Sequence, residues 1–139
     1  MMPESIKVLH VEDDFADAML LQHALQDAGA HNMDMEVVRM LVDAKYKLMA
    51  RSYDLIIADL RLPDSRDPVE TIGMIEKHSG STPIVVLTGS ATVDQESIGD
   101  GVKVLDKNHY FHNRDEKKTQ LLHEHIMGAL ETGDDTILL

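Results

Sequence analysis

Apolar positions along the chain fall into two kinds of pattern. Three short runs are almost continuously apolar and rich in β-branched residues: Ile6-Lys7-Val8-Leu9-His10-Val11, Leu55-Ile56-Ile57-Ala58 and Pro83-Ile84-Val85-Val86-Leu87. Runs of this length and content predict strands buried on both faces, hence a parallel sheet. Weaker strands are predicted from Met35 to Met40, around Val37-Val38, and from Val102 to Leu105. The intervals carry helical spacing instead. Ala18, Leu21, Leu25 and Ala28 step by three and four, with Gly29 as a C′ stop. Leu41, Lys45, Leu48 and Met49 mark a second helix with a less regular stripe, and Val69, Ile72 and Ile75 a third, opened by Pro68 in its first turn. Leu122, Ile126, Ala129 and Leu130 give a last helix, stopped by Gly133. Strand and helix alternating about five times predict an open α/β sheet.

Right-handed crossovers place the C-terminal ends of all strands in such a sheet on one rim, where ligands collect. The strand ends deliver Glu12, Asp13, Asp59 and Thr88 to that rim, with Lys107 just past the fifth strand.

Composition narrows the function classes. The chain has 139 residues, one domain's worth, and 43% of them are hydrophobic. With 25 Asp+Glu against 13 Lys+Arg, the formal net charge is -12. Nucleic acid and anionic membrane surfaces are therefore not expected partners, because both are held by Lys and Arg. There is no cysteine, so disulfides, zinc knuckles and thiol nucleophiles are excluded. No signal-like segment opens the chain and no apolar run is long enough to span a bilayer, which leaves a cytoplasmic domain as the expectation.

Three carboxylates converging on one cleft repel one another and raise at least one pKa. A hard divalent cation relieves this, and Mg²⁺ favours oxygen ligands, combining one or two carboxylates with a phosphate. A lysine adds positive charge and a threonine hydroxyl adds a donor. Together these are the groups that phosphoryl transfer asks of a protein. A carboxylate can itself be the nucleophile, giving an aspartyl-phosphate. Asp59, at the end of the most central strand, is the candidate.

The segments Val11-Glu12-Asp13-Asp14, Tyr53 to Asp64 with Asp59 inside it, Pro83 to Gly89 and Lys107 resemble the receiver domain of two-component response regulators. The resemblance spans roughly Ile6 to Leu130. It implies a flavodoxin-like, doubly wound five-stranded parallel sheet of order 2-1-3-4-5 with helices on both faces. It also implies a receiver domain over 1–131 and a short tail over 132–139. Carried over by position, Asp59 accepts a phosphoryl group from a histidine kinase or a histidine phosphotransfer protein. Asp13 binds Mg²⁺ directly, Glu12 acts through a metal-bound water, and the Arg61 backbone carbonyl completes the metal site with Asp59. Thr88 and Lys107 contact the phosphoryl oxygens, and Asp14 caps the first helix. The expected protein is a stand-alone signalling module rather than an enzyme. It acts on a downstream protein target as a monomer or weak homodimer.

Three departures from the family pattern bear on how a signal is read out. Receivers place Tyr or Phe three residues before the lysine, as a rotamer switch, where this chain has Val104. Thr88 and Lys107 stand 19 positions apart. That is about three fewer than in the family, close to one helical turn, so the helix between them should be short or irregular. Asn108 follows Lys107 where many receivers carry proline. The residues two after the aspartate and two after the threonine tune water's access in receivers. Here they are Arg61 and Ser90, and a long arginine is expected to shield the phosphoryl group.

Glu12-Asp13-Asp14 taken alone is helix capping and solvated charge, and Thr88-Gly89 alone is turn chemistry. The His109/His112 and His123/His125 pairs lack the i, i+4 spacing of a zinc helix. The nine methionines are expected as flexible core filler. A pseudo-receiver, an interaction module independent of phosphate, is the alternative suggested by Val104. A phosphohydrolase pattern wants an acidic residue where Arg61 stands, and a flavodoxin-like cofactor binder wants a Gly/Ser/Thr phosphate loop after the first strand, which is absent.

Overall fold

The computed structural model describes residues 5–30, 32–65, 67–89, 102–111 and 116–138, with side chains as far as residue 130. Its elements are β1 (Ile6–Val11), α1 (Phe15–Asp27), β2 (Met33–Val38), α2 (Leu41–Ala50), β3 (Leu55–Ala58), α3 (Pro68–Ser79), β4 (Ile84–Thr88), β5 (Val102–Asp106), α4 (Lys107–Phe111) and α5 (Glu116–Leu138). The five strands form one parallel sheet in the order β2-β1-β3-β4-β5.

The near-continuous apolar character of the inner strands is explained by two cores, one on each face. Leu9 and Val11, Ile56 and Ala58, Ile84 and Val86 face a cluster closed by Leu41 and Ala44 of α2 and Ile72 and Ile75 of α3. Their neighbours Val8, Leu55, Ile57, Val85 and Leu87 face a second cluster with Leu21 and Leu25 of α1 and Leu122 and Ile126 of α5. With a side-chain period of two, both parities must be apolar when both faces are covered.

β2 lies two residues earlier than its apolar pattern predicts. Its register is set by pairing with β1, from Ile6↔Met33 to Val11↔Val38, and as an edge strand it is only partly buried. Residues 39 and 40 instead lead into α2, whose N-cap Met40 offers no side-chain cap. Asp64, from the loop after β3, does so across the fold, accepting from Leu41 N at 2.8 Å and Val42 N at 2.9 Å. A borrowed cap of this kind stabilises a helix start by about 1 kcal/mol. α1 ends as its sequence predicts, in a Schellman motif. Gly29 adopts φ 95°, and the Ala30 and Gly29 N–H groups donate to Leu25 O and Gln26 O. α5 runs past Gly133 to Leu138, longer than the apolar stripe indicates. The shortened helix expected between β4 and β5, and Ser90 with it, lie outside the described residues.

Candidate functional site

Each carboxylate reaches the rim for a local reason. β1 is fully buried from Val8 onward, so its last hydrogen bond, Glu12 N to Val38 O at 2.8 Å, carries Glu12 to the sheet's edge with its side chain in the interior. Asp13 follows. Asp14 turns the chain into α1, its Oδ1 accepting from Ala16 N at 2.9 Å and Asp17 N at 3.2 Å. Asp59 N donates to Val11 O at 2.9 Å, which extends the β1–β3 pairing just far enough to present Asp59 beside Glu12 and Asp13. Beyond it, buried Thr71 of α3 holds the loop, its hydroxyl 3.2 Å from Leu60 O and 2.8 Å from the Ser65 hydroxyl.

The two oxygens of Asp59 are held separately. Thr88 Oγ1, at the end of β4, donates to Oδ1 at 2.8 Å, and Lys107 Nζ donates to Oδ2 at 2.8 Å. The Arg61 backbone N–H also points at Oδ1, at 3.3 Å. Lys107 meets two further carboxylates, Asp17 Oδ2 at 2.9 Å and Glu12 Oε1 at 2.6 Å. Burial works against its charge. The carboxylates of Asp59, Glu12 and Asp17 gathered around it outweigh burial and hold its pKa above the usual lysine value. Burial pushes the Glu12 carboxyl up to about 7 despite the neighbouring lysine. His10, on β1 beneath Glu12, is driven down to about 4 by burial and by the Lys107 charge. A cleft of about 510 Å³ opens onto this group, lined by Asp17, Asp59, Arg61, Thr88, Lys107 and Phe111 among others.

Carboxylate oxygens of Glu12, Asp13 and Asp59 lie within 4.8 Å of one another. Glu12 Oε1 is fully buried and receives no aligned hydrogen bond, although Lys107 Nζ stands near it. Hard oxygen donors at this spacing, one of them buried away from water, fit a small divalent cation.

The family model of the response regulator receiver domain matches residues 8–107, most of the chain and every side chain of this cluster. The chain belongs to the response regulator receiver domain family. The sensor protein GacS of Pseudomonas syringae pv. syringae is 32% identical over 94 residues, 65% of this chain and 10% of that protein. The swarming motility regulation protein RssB of Serratia marcescens is 32% identical over 89 residues, 64% of this chain and 39% of that one. The chain thus spans well under half the length of these curated relatives. Among solved structures, the N-terminal domain of a response regulator/sensory box/GGDEF 3-domain protein from Carboxydothermus hydrogenoformans superposes with a TM-score of 0.70. It shares 25% identity, over 94% of this chain and 98% of that one. A CheY-like receiver domain protein from Methanospirillum hungatei JF-1 superposes equally well, with a TM-score of 0.70 at 18% identity over 95% and 98%.

As a receiver, the chain brings together Glu12, Asp13, Asp59, Thr88 and Lys107, the residues its strand ends single out. Arg61 stands beside them in the cleft wall, with its N–H toward Asp59. Val104, where the family carries its aromatic switch, is half-buried against the α2/α3 core. An aromatic side chain does pack on the other side of the lysine. Tyr110 is buried between His109, ring centroids 4.8 Å apart, and His125 of α5, 6.4 Å apart. These two histidines therefore serve packing, and His112 lies outside the described residues.

Asp17 was not singled out by sequence. An acid in the first turn of a helix reads as a complement to the helix dipole, and nothing local signals its bond to a lysine 90 positions away. No helix among the described residues is long and apolar enough to cross a membrane.

Proposed function

We propose that this receiver accepts a phosphoryl group on Asp59 from a phosphohistidine on a histidine kinase or phosphotransfer protein, and signals in the cytoplasm by binding a downstream protein. The observation that carries this is the separate hold on the two Asp59 oxygens, by Thr88 Oγ1 and by Lys107 Nζ, each at 2.8 Å at the mouth of an open cleft. A carboxylate fixed in this way is oriented as a nucleophile, and its two donors stand where charge gathers as the phosphoryl group arrives.

In the transfer, an Asp59 oxygen forms a bond to phosphorus while the phosphorus–nitrogen bond of the donor breaks. The departing imidazole nitrogen keeps the electron pair of that bond. Thr88 Oγ1 and Lys107 Nζ, both within hydrogen-bond distance of Asp59, then donate to the phosphoryl oxygens. Glu12, Asp13 and Asp59, with the Arg61 backbone carbonyl, are the residues that would hold Mg²⁺. When bound, the ion supplies positive charge that offsets the clustered carboxylates and the incoming phosphate.

The test is intact-protein mass after incubation with acetyl phosphate or phosphoramidate. A gain of one phosphoryl group is expected with Mg²⁺, and its near-complete loss when Mg²⁺ is chelated. Equal uptake under both conditions would refute the metal assignment. No uptake under either would favour the pseudo-receiver.

A further inference from the structure

A lysine ammonium has three N–H donors. Lys107 directs hydrogen bonds to Asp17 at 2.9 Å and Asp59 at 2.8 Å, and Glu12 Oε1 crowds it at 2.6 Å. All three neighbouring oxygens belong to carboxylates, so a phosphoryl group arriving on Asp59 meets an ammonium that is already surrounded. Contact with a phosphoryl oxygen requires that one of the three be given up.

They differ in what release costs. The Glu12 side chain is 1% exposed, so water cannot take the ammonium's place there. Asp59 carries the incoming group and stays in place. The Asp17 side chain is 27% exposed, stands on α1 outside the Glu12–Asp13–Asp59 cluster, and lines the open cleft. Water can replace the ammonium there at little cost.

We propose that Asp17 is the exchangeable partner of Lys107, holding the ammonium over the unmodified acceptor and yielding it to the phosphoryl group. The inference rests on the phosphoacceptor reading and adds a regulatory step to it. Asp17 acts through Lys107 and is a positioning residue. It retards phosphorylation in two ways, by occupying a donor that the product needs and by adding negative charge to the entrance. Its exchange also cuts the tie between the first turn of α1 and the residue that follows β5, a link that requires no aromatic at position 104.

The experiment is the rate of phosphoryl uptake from phosphoramidate with Mg²⁺, in the parent chain and in the Asp17→Asn, Asp17→Ala and Asp17→Glu variants. The two neutral variants are expected to react about threefold to fivefold faster than the parent, the size of a partly exposed ion pair. Asp17→Glu, which keeps the charge, is expected to stay near the parent rate. Both neutral variants reacting at the parent rate or slower would overturn the inference, as would Asp17→Glu matching their acceleration. Absence of any adduct on the parent chain would instead refute the phosphoacceptor reading itself.

Discussion

Asp59→Asn is expected to abolish phosphoryl uptake while leaving the fold within about 1 kcal/mol of the parent. The two halves of this expectation have different causes. Uptake is lost because an amide oxygen is a poor nucleophile toward phosphorus and no other carboxylate has its two oxygens held by Thr88 and Lys107. Stability is largely kept because the amide can satisfy Lys107 and Thr88, at the cost of the long Arg61 N–H contact alone. Its oxygen can accept from Lys107 Nζ, and its NH₂ can donate to Thr88 Oγ1, since a hydroxyl is donor and acceptor alike. One negative charge also leaves a crowded group in which Glu12, Asp13 and Asp17 remain. Intact mass after phosphodonor treatment and urea unfolding check the two halves separately. Loss of uptake together with collapse of stability would show that Asp59 is needed by the fold rather than by the chemistry.

Lys107→Met has the opposite profile, with a large effect on the fold. The Lys107 side chain is 10% exposed and sits against Glu12, Asp17 and Asp59. Methionine preserves most of the volume and removes the ammonium that sits against these three carboxylates. Removing one partner of a buried ion pair costs about 3–5 kcal/mol because the remaining charge is left uncompensated. The cleft admits water, so the lower end, about 3 kcal/mol at neutral pH, is expected here. Mg²⁺ should restore part of the loss, more than it adds to the parent, because a cation held by Glu12, Asp13 and Asp59 offsets the same charges. Urea unfolding with MgCl₂ against NaCl of matched ionic strength measures this. Parent-like stability in Lys107→Met would contradict the electrostatic description of the site.

How much of this was legible in sequence follows from where each signal resides. Strands covered on both faces write their burial into consecutive residues, so β1, β3 and β4 stood out, and with them the acids at their ends. Asp59, Thr88 and Lys107 were legible because alternating strands and helices fix a common rim. β2 was displaced because an edge strand takes its register from its neighbour and has little burial of its own to record. Asp64 was illegible as a cap because it serves a helix 23 positions earlier, through packing that local propensity does not encode. Asp17 was hidden for a related reason, its first-turn position offering a sufficient local explanation for an acid. The length of α5 past Gly133 escaped too, since its apolar stripe ends before the helix does.

The most direct measurement is fragment mass spectrometry of the parent chain after treatment with phosphoramidate and Mg²⁺, locating the adduct within the sequence. A single phosphoryl group on the peptide that contains Asp59 is the expected result. An adduct on a histidine or on another acidic residue, with Asp59 unmodified, would contradict the claim that this cluster is built to load that one side chain.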